Sequence, residues 1–220
     1  MNRDSYVRLA GLFDYPDASF LEKVMELEAW LKGFCPAAAA ELGLFAGGLS
    51  QKDPACLQEL FTRSFDIQAV TTLDVGYVLF GDDYKRGSLL AHLNREHKDA
   101  GNDCGLELAD HLPNLLRLIA KSEKTEFVQE LVEEILAPAI RSMIGEFDPE
   151  KLGKKNQLYQ KHYKTLLETA EVNAFVYLHA LKALLCVLKQ DFQIREESIC
   201  APPDHGFFKA VDLEMSVEKL

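Results

Sequence analysis

Apolar residues recur at helical spacing along most of this chain. In residues 5–13, SYVRLAGLF, the stripe is Val7, Leu9, Leu12 and Phe13, with Asp4 or Ser5 as cap. Pro16 then disfavours a helical Tyr15, and Asp17 suits the next N-cap. The second predicted helix carries Phe20, Leu21, Val24, Leu27 and Leu31. Asp53 followed by Pro54 predicts a clean helix start, with Leu57, Leu60 and Phe61 at i, i+3 and i+4.

Residues 66–81, DIQAVTTLDVGYVLFG, are rich in β-branched side chains. A lone strand would have no pairing partner in so helical a chain, so they read as a loop and a short helix. The run 82–101 returns to helix and ends near Gly101. Gly87 inside it costs about 1 kcal/mol relative to Ala, which suggests a tight backbone approach there. From Glu123 to Phe147 one wide apolar stripe runs through Val128, Leu131, Ile135 and Ile140, and Pro138 should kink or split it. FDPEKLGKKNQ is a polar connection. A long helix or two stacked ones follow from about Leu158 to Phe192. The expected architecture is all-α: one globular helical domain over residues 1–192, of roughly eight to ten helices, and a weakly structured tail over 193–220.

Charge narrows the partners. The chain has 24 Lys+Arg against 35 Asp+Glu, a formal net charge of −11, which repels nucleic acid and anionic lipid and attracts basic partners. The five cysteines are odd in number and lack a CxxC pair, as expected of thiols in a reducing cytosol. Acids interrupt the first apolar run, unlike a secretory signal, and no apolar run approaches the roughly 18 residues of a membrane span. A cytoplasmic protein is expected.

Residues 105–120, GLELADHLPNLLRLIA, carry the most chemistry. With Asp110 as N-cap and Pro113 in the first turn, Leu112, Leu115, Leu116 and Ile119 become the buried side. That leaves Glu107 and His111 unexplained. Asp110 and His111 are neighbours in sequence, which alone does not make a catalytic dyad, and no serine elbow accompanies them. A helix cap, a binding corner and a hydrolytic pair therefore stand as three alternatives. HLNREHK, with His92, Glu96 and His97, reads as a solvated face before a metal site. Cys200, Asp204 and His205 lack zinc spacing, and His179 and Cys186 read as core. No stoichiometric metal or cofactor is expected, and no catalytic set emerges. A binding module is favoured over an enzyme.

Four stretches together resemble a known family: LFDYPDASF at 12–20, LQELFTRSF at 57–65, FGDDYKRGSLL at 80–90 and ELADHLPNLL at 107–116. Their order and spacing resemble the NarJ/TorD/DmsD family of molybdoenzyme maturation chaperones, and most nearly its nitrate reductase delta-subunit branch. The most specific element is Glu-x-x-Asp-His-x-Pro, carried by Glu107, Asp110, His111 and Pro113. The family pattern usually has Pro before the Asp-His pair, where this chain has Ala109. The resemblance implies a cytosolic all-helical chaperone, not an enzyme. Such a chaperone binds the N-terminal leader segment of a molybdoenzyme catalytic subunit and holds the apoenzyme for insertion of the molybdenum cofactor, which belongs to the client. It implies peptide recognition at the Asp-His corner and the helix before it, and the residue types extend the expected site to Glu107, Asp110, His111 and Pro113 beside apolar residues of the 57–90 region, Leu60, Phe80 and Tyr84. In that site an exposed carboxylate would pair with a basic residue of the peptide. The rivals are a generic helical adaptor and a hydrolase using Asp110 and His111.

Overall fold

The computed structural model describes residues 3–50, 52–153 and 175–194. These residues are all-α, without a named strand. They divide into two compact units, each drawing on distant parts of the chain.

The first unit takes residues 3–14, 73–140 and 187–194. It contains α1 (Arg3–Ala10), a 3-10 turn (Gly11–Phe13), α5 (Val75–Phe80), α6 (Tyr84–Asp99), α7 (Leu112–Lys121) and α8 (Thr125–Glu130). α7 is its centre. Leu112, Leu115, Leu116, Leu118 and Ile119 are all buried, and α1 packs along it. Burial of that many leucine-sized side chains, at about 1.5–3 kcal/mol each, outweighs any propensity term in so short a helix. Tyr6 of α1 is fully buried and donates to Asp191 at 2.9 Å.

Between α8 and α9 (Ala137–Glu146) the helix widens to a π turn over Leu131–Leu136. The cause is Pro138. Proline has no N–H to donate, and its ring presses on the carbonyl four residues back. The chain takes the longer bond instead, with the Ala137 N–H donating to the Val132 carbonyl. The kink expected at Pro138 is therefore a local widening immediately before it.

The second unit takes residues 15–50, 52–72, 141–153 and 175–186. α2 (Phe20–Leu31) packs on α3 (Pro36–Leu49), and α4 (Pro54–Phe65) follows. The start of α10 (Val176–Phe192) supplies Tyr177 to a cluster of rings with Phe45, Phe61 and Phe65, at centroid separations of 4.8–5.9 Å. Gly48 of α3 faces Val176, whose methyl would lie 2.9 Å from an added Cβ.

Several end assignments differ from expectation. Asp53 caps α4 as predicted, accepting from the Cys56 N–H at 2.8 Å. Asp17 does not cap α2: the N-cap is Ser19, and Asp17 accepts from its N–H and from Lys23. Asp4 and Ser5 lie inside α1. Gly87 has open space beside it, so the close approach suggested there is absent. The 66–81 segment is indeed loop and short helix, and Asp74 within it forms an isolated bridge with His111. α6 ends near Gly101 in a Schellman motif: Gly101 has φ +60, and the Asn102 N–H reaches the His97 carbonyl at 2.8 Å. The expected helix before Phe175, the lysine-rich connection beyond Gly153 and the tail with Cys200, Asp204 and His205 lie outside the described residues.

Candidate functional site

Two helix starts meet at one corner of the first unit. Residues entering α5 and α7 pair in an isolated antiparallel bridge between Asp74 and His111. The Val75 N–H donates to the Asp110 carbonyl at 3.0 Å, and the Leu112 N–H donates to the Leu73 carbonyl at 2.9 Å. Each helix thus satisfies a first-turn donor of the other, which no intrahelical acceptor serves.

Side chains tie the corner more tightly. Asp110 is fully buried. Its Oδ2 accepts from the Gly76 N–H at 3.2 Å and from Arg86 Nε at 3.0 Å. The same guanidinium donates from Nη2 to Asp74 Oδ2 at 2.9 Å and lies 5.4 Å from the centre of the Tyr77 ring. His111 Nδ1 is 3.2 Å from Asp74 Oδ1 and 4.0 Å from Glu107 Oε2. The order across the corner is Asp110, Arg86, Asp74, His111, Glu107. Burial works against the Arg86 charge, but Asp110 and then Asp74 overcome it and hold its pKa above the ordinary value. The hydrogen bond from His111, with the charges of His111 and Arg86, holds the Asp74 carboxyl below the usual range despite its partial burial.

A second buried network fixes the loop into α7. His97 Nε2 donates to the Ala109 carbonyl at 2.9 Å, which leaves Nδ1 to accept from Asn102 Nδ2 at 3.0 Å. Asn102 Nδ2 also reaches the Asn114 carbonyl at 3.2 Å. Asn114 Nδ2 donates to the carbonyls of Cys104 and Leu108 at 3.2 and 3.1 Å. Burial lowers the pKa of His97.

The sequence-based site divides accordingly. Glu107 is exposed, His111 is mostly covered, and Pro113 is buried at the second position of α7. Asp110 is neither the expected N-cap of α7 nor an exposed carboxylate. The N-cap is His111, without a side-chain cap bond, and the Asp110 carboxylate turns to α5 and Arg86. A buried carboxylate already paired with an internal guanidinium does not also serve an incoming arginine. Phe80 ends α5 half-buried, and Tyr84 opens α6 at 74% exposure. Leu60 belongs to the second unit and is buried in α4, where it supplies core. HLNREHK is not a wholly solvated face, since Leu93, Glu96 and His97 are buried. Asp110 and His111 form no dyad, because their side chains are engaged by Arg86 and Asp74 respectively.

Residue-level reading missed Asp74, Gly76, Arg86 and His97. A charge pair twelve residues apart on two different helices has no periodic signature. Gly76 offered the one usable hint, a glycine inside a short helical stretch. Among the described residues no group of three or more His, Cys, Asp or Glu is gathered as for a metal ion, and no helix is long and apolar enough to cross a membrane.

No protein-family model matches the chain. Two curated proteins are similar to it: the nitrate reductase molybdenum cofactor assembly chaperone NarJ of Escherichia coli strain K12, and the protein of the same name from Escherichia coli O157:H7. Each is 28% identical over 168 residues, covering 74% of this chain and 68% of the relative. Of the corner residues, Arg86, Glu107, Asp110 and His111 fall within the stretches that carried the family resemblance, and Asp74 and Gly76 lie outside them. The chain is thus similar to the NarJ assembly chaperones, in keeping with the resemblance carried by those stretches.

Proposed function

We propose that this chain is a cytoplasmic chaperone that assists assembly of a molybdoenzyme of the nitrate reductase type. It binds the N-terminal leader segment of the catalytic subunit and holds the apoenzyme while the molybdenum cofactor is inserted. The cofactor is the client's, and the chaperone binds none stoichiometrically. The observation that carries this reading is the similarity to NarJ, whose name states molybdenum cofactor assembly for nitrate reductase.

The α5–α7 corner is the proposed peptide site. Glu107 presents the exposed carboxylate for a basic residue, Tyr77 lies by Arg86, and Phe80 and Tyr84 at the end of α5 and the start of α6 add partly exposed rings. His111 lines the site, while Asp110 and Pro113 act as positioning residues beneath it. Leu60, buried in the second unit, is left in a structural role. The hydrolase alternative loses its premise, since Asp110 and His111 point to different partners.

Calorimetry with a synthetic peptide copying about the first 20 residues of a nitrate reductase catalytic subunit tests this, that being enough for a few turns of an amphipathic segment. Binding that weakens with rising salt and falls in Glu107→Gln is expected. A peptide that fails to bind the folded protein rules the reading out, and a generic helical adaptor takes its place.

A further inference from the structure

The loop between Cys104 and Leu108 carries two leucines that the fold leaves unused. Leu106 is fully exposed and Leu108 is 49% exposed. A single surface leucine is ordinary. This pair differs in the rigidity of the backbone beneath it. Three buried polar side chains, His97, Asn102 and Asn114, hold the loop. Asn114 grips the carbonyls of Cys104 and Leu108, and His97 grips that of Ala109. Gly105 turns the chain at φ +62 while its N–H donates to Asp103 Oδ1 at 2.9 Å. Ordering a loop costs conformational entropy, and burying three polar side chains is safe only when they are paired. Here His97, Asn114 and the Asn102 amide nitrogen are paired, while Asn102 Oδ1 is buried without a partner among the described residues, and the loop they hold presents apolar side chains to water.

Charge identifies the occupant. Glu107, between the two leucines, has a 63% exposed carboxylate, and Asp103 before them is exposed as well. A second copy of this chain, itself at −11, would bring acid against acid. A cationic, amphipathic segment meets both the leucines and the carboxylate.

We propose that Leu106, Glu107 and Leu108 form a preordered docking element for the client's N-terminal segment. The leucines cover its apolar side chains, and Glu107 pairs with a basic one. This inference rests on the reading of the chain as a client-binding chaperone, and adds two residues to the site that the Asp-His motif does not include. The loop is already ordered, so its ordering is not subtracted from the binding energy.

The probe is the same synthetic catalytic-subunit peptide, titrated into the full chain. Leu106→Ser and Leu108→Ser should each weaken binding about tenfold or more. The melting temperature should stay at the wild-type value for Leu106→Ser, whose side chain is in solvent, and fall only slightly for Leu108→Ser, whose side chain is half covered. Leu106→Met, which keeps the apolar surface, should bind like wild type. If the wild type binds and both serine variants bind equally well, the docking element is wrong and the corner reading survives. If the wild type does not bind, both fall together.

Discussion

Gly76 donates its N–H to Asp110 Oδ2, and a Cβ on residue 76 would lie 2.7 Å from that same oxygen. The residue is also hemmed by Leu89 Cδ2 at 3.1 Å and Arg86 Cγ at 3.2 Å. Replacing glycine by alanine inside a helix ordinarily gains about 1 kcal/mol. Here the nearest atom belongs to a buried carboxylate fixed by an ion pair, so it cannot move aside freely. Overpacking of this kind costs about 1–3 kcal/mol. Gly76→Ala is therefore expected to destabilise the protein, as a lowered urea midpoint, where propensity alone predicts a rise.

Asp110→Asn keeps an acceptor for the Gly76 N–H and removes the charge facing Arg86. Arg86 retains Asp74, so the variant should fold. Losing one charged hydrogen bond should cost about 1.5–3 kcal/mol of stability. Binding of the catalytic-subunit peptide should fall along with it, as befits a positioning residue. Glu107→Gln should separate the two readouts, with weaker binding at unchanged stability. An Asp110→Asn protein with wild-type stability would show that the buried pair contributes nothing.

Two acid transitions should be separable. The Asp74 carboxyl is held below its ordinary range, first by the His111 hydrogen bond. Its contribution is complete above the ordinary aspartate value of about 3.9 and is lost as pH falls through the lower folded value. His97 acts at higher pH. Burial depresses its pKa, so below about pH 6.5 the unfolded chain takes up a proton that the folded one refuses. Stability should fall there first. Urea midpoints taken across the acid range should show His97→Gln flattening the upper limb only, and His111→Asn shrinking the lower one.

Gln68 holds φ at +51 in the exposed turn after α4. A left-handed backbone costs a non-glycine residue about 1–2 kcal/mol. Glycine removes that strain, but its freer unfolded chain returns about 0.4–1 kcal/mol of the gain. Gln68→Gly should raise stability by the difference, about 0.5–1 kcal/mol. A lowered melting temperature would show that the Gln68 side chain makes a contact that outweighs its backbone strain.

Most of the helices (α3 excepted), the Asp53 cap, the end of α6 at Gly101 and the buried side of α7 were legible in the sequence. Each depends on residues within a turn or two of one another, where periodicity, caps and proline act directly. The Asp-His motif drew attention to the corner where α5 meets α7, and its resemblance agrees with the similarity to NarJ. Tertiary structure alone decided what those residues do there. Asp110 reads locally as a cap for its own helix. Folding instead brings α5 and Arg86 against it, and a buried carboxylate takes the strongest donors within reach. His97 looks like one polar residue in a polar run until the loop before α7 closes over it and its ring finds the Ala109 carbonyl. Such pairings depend on which helix packs against which, and no spacing along a single helix encodes that.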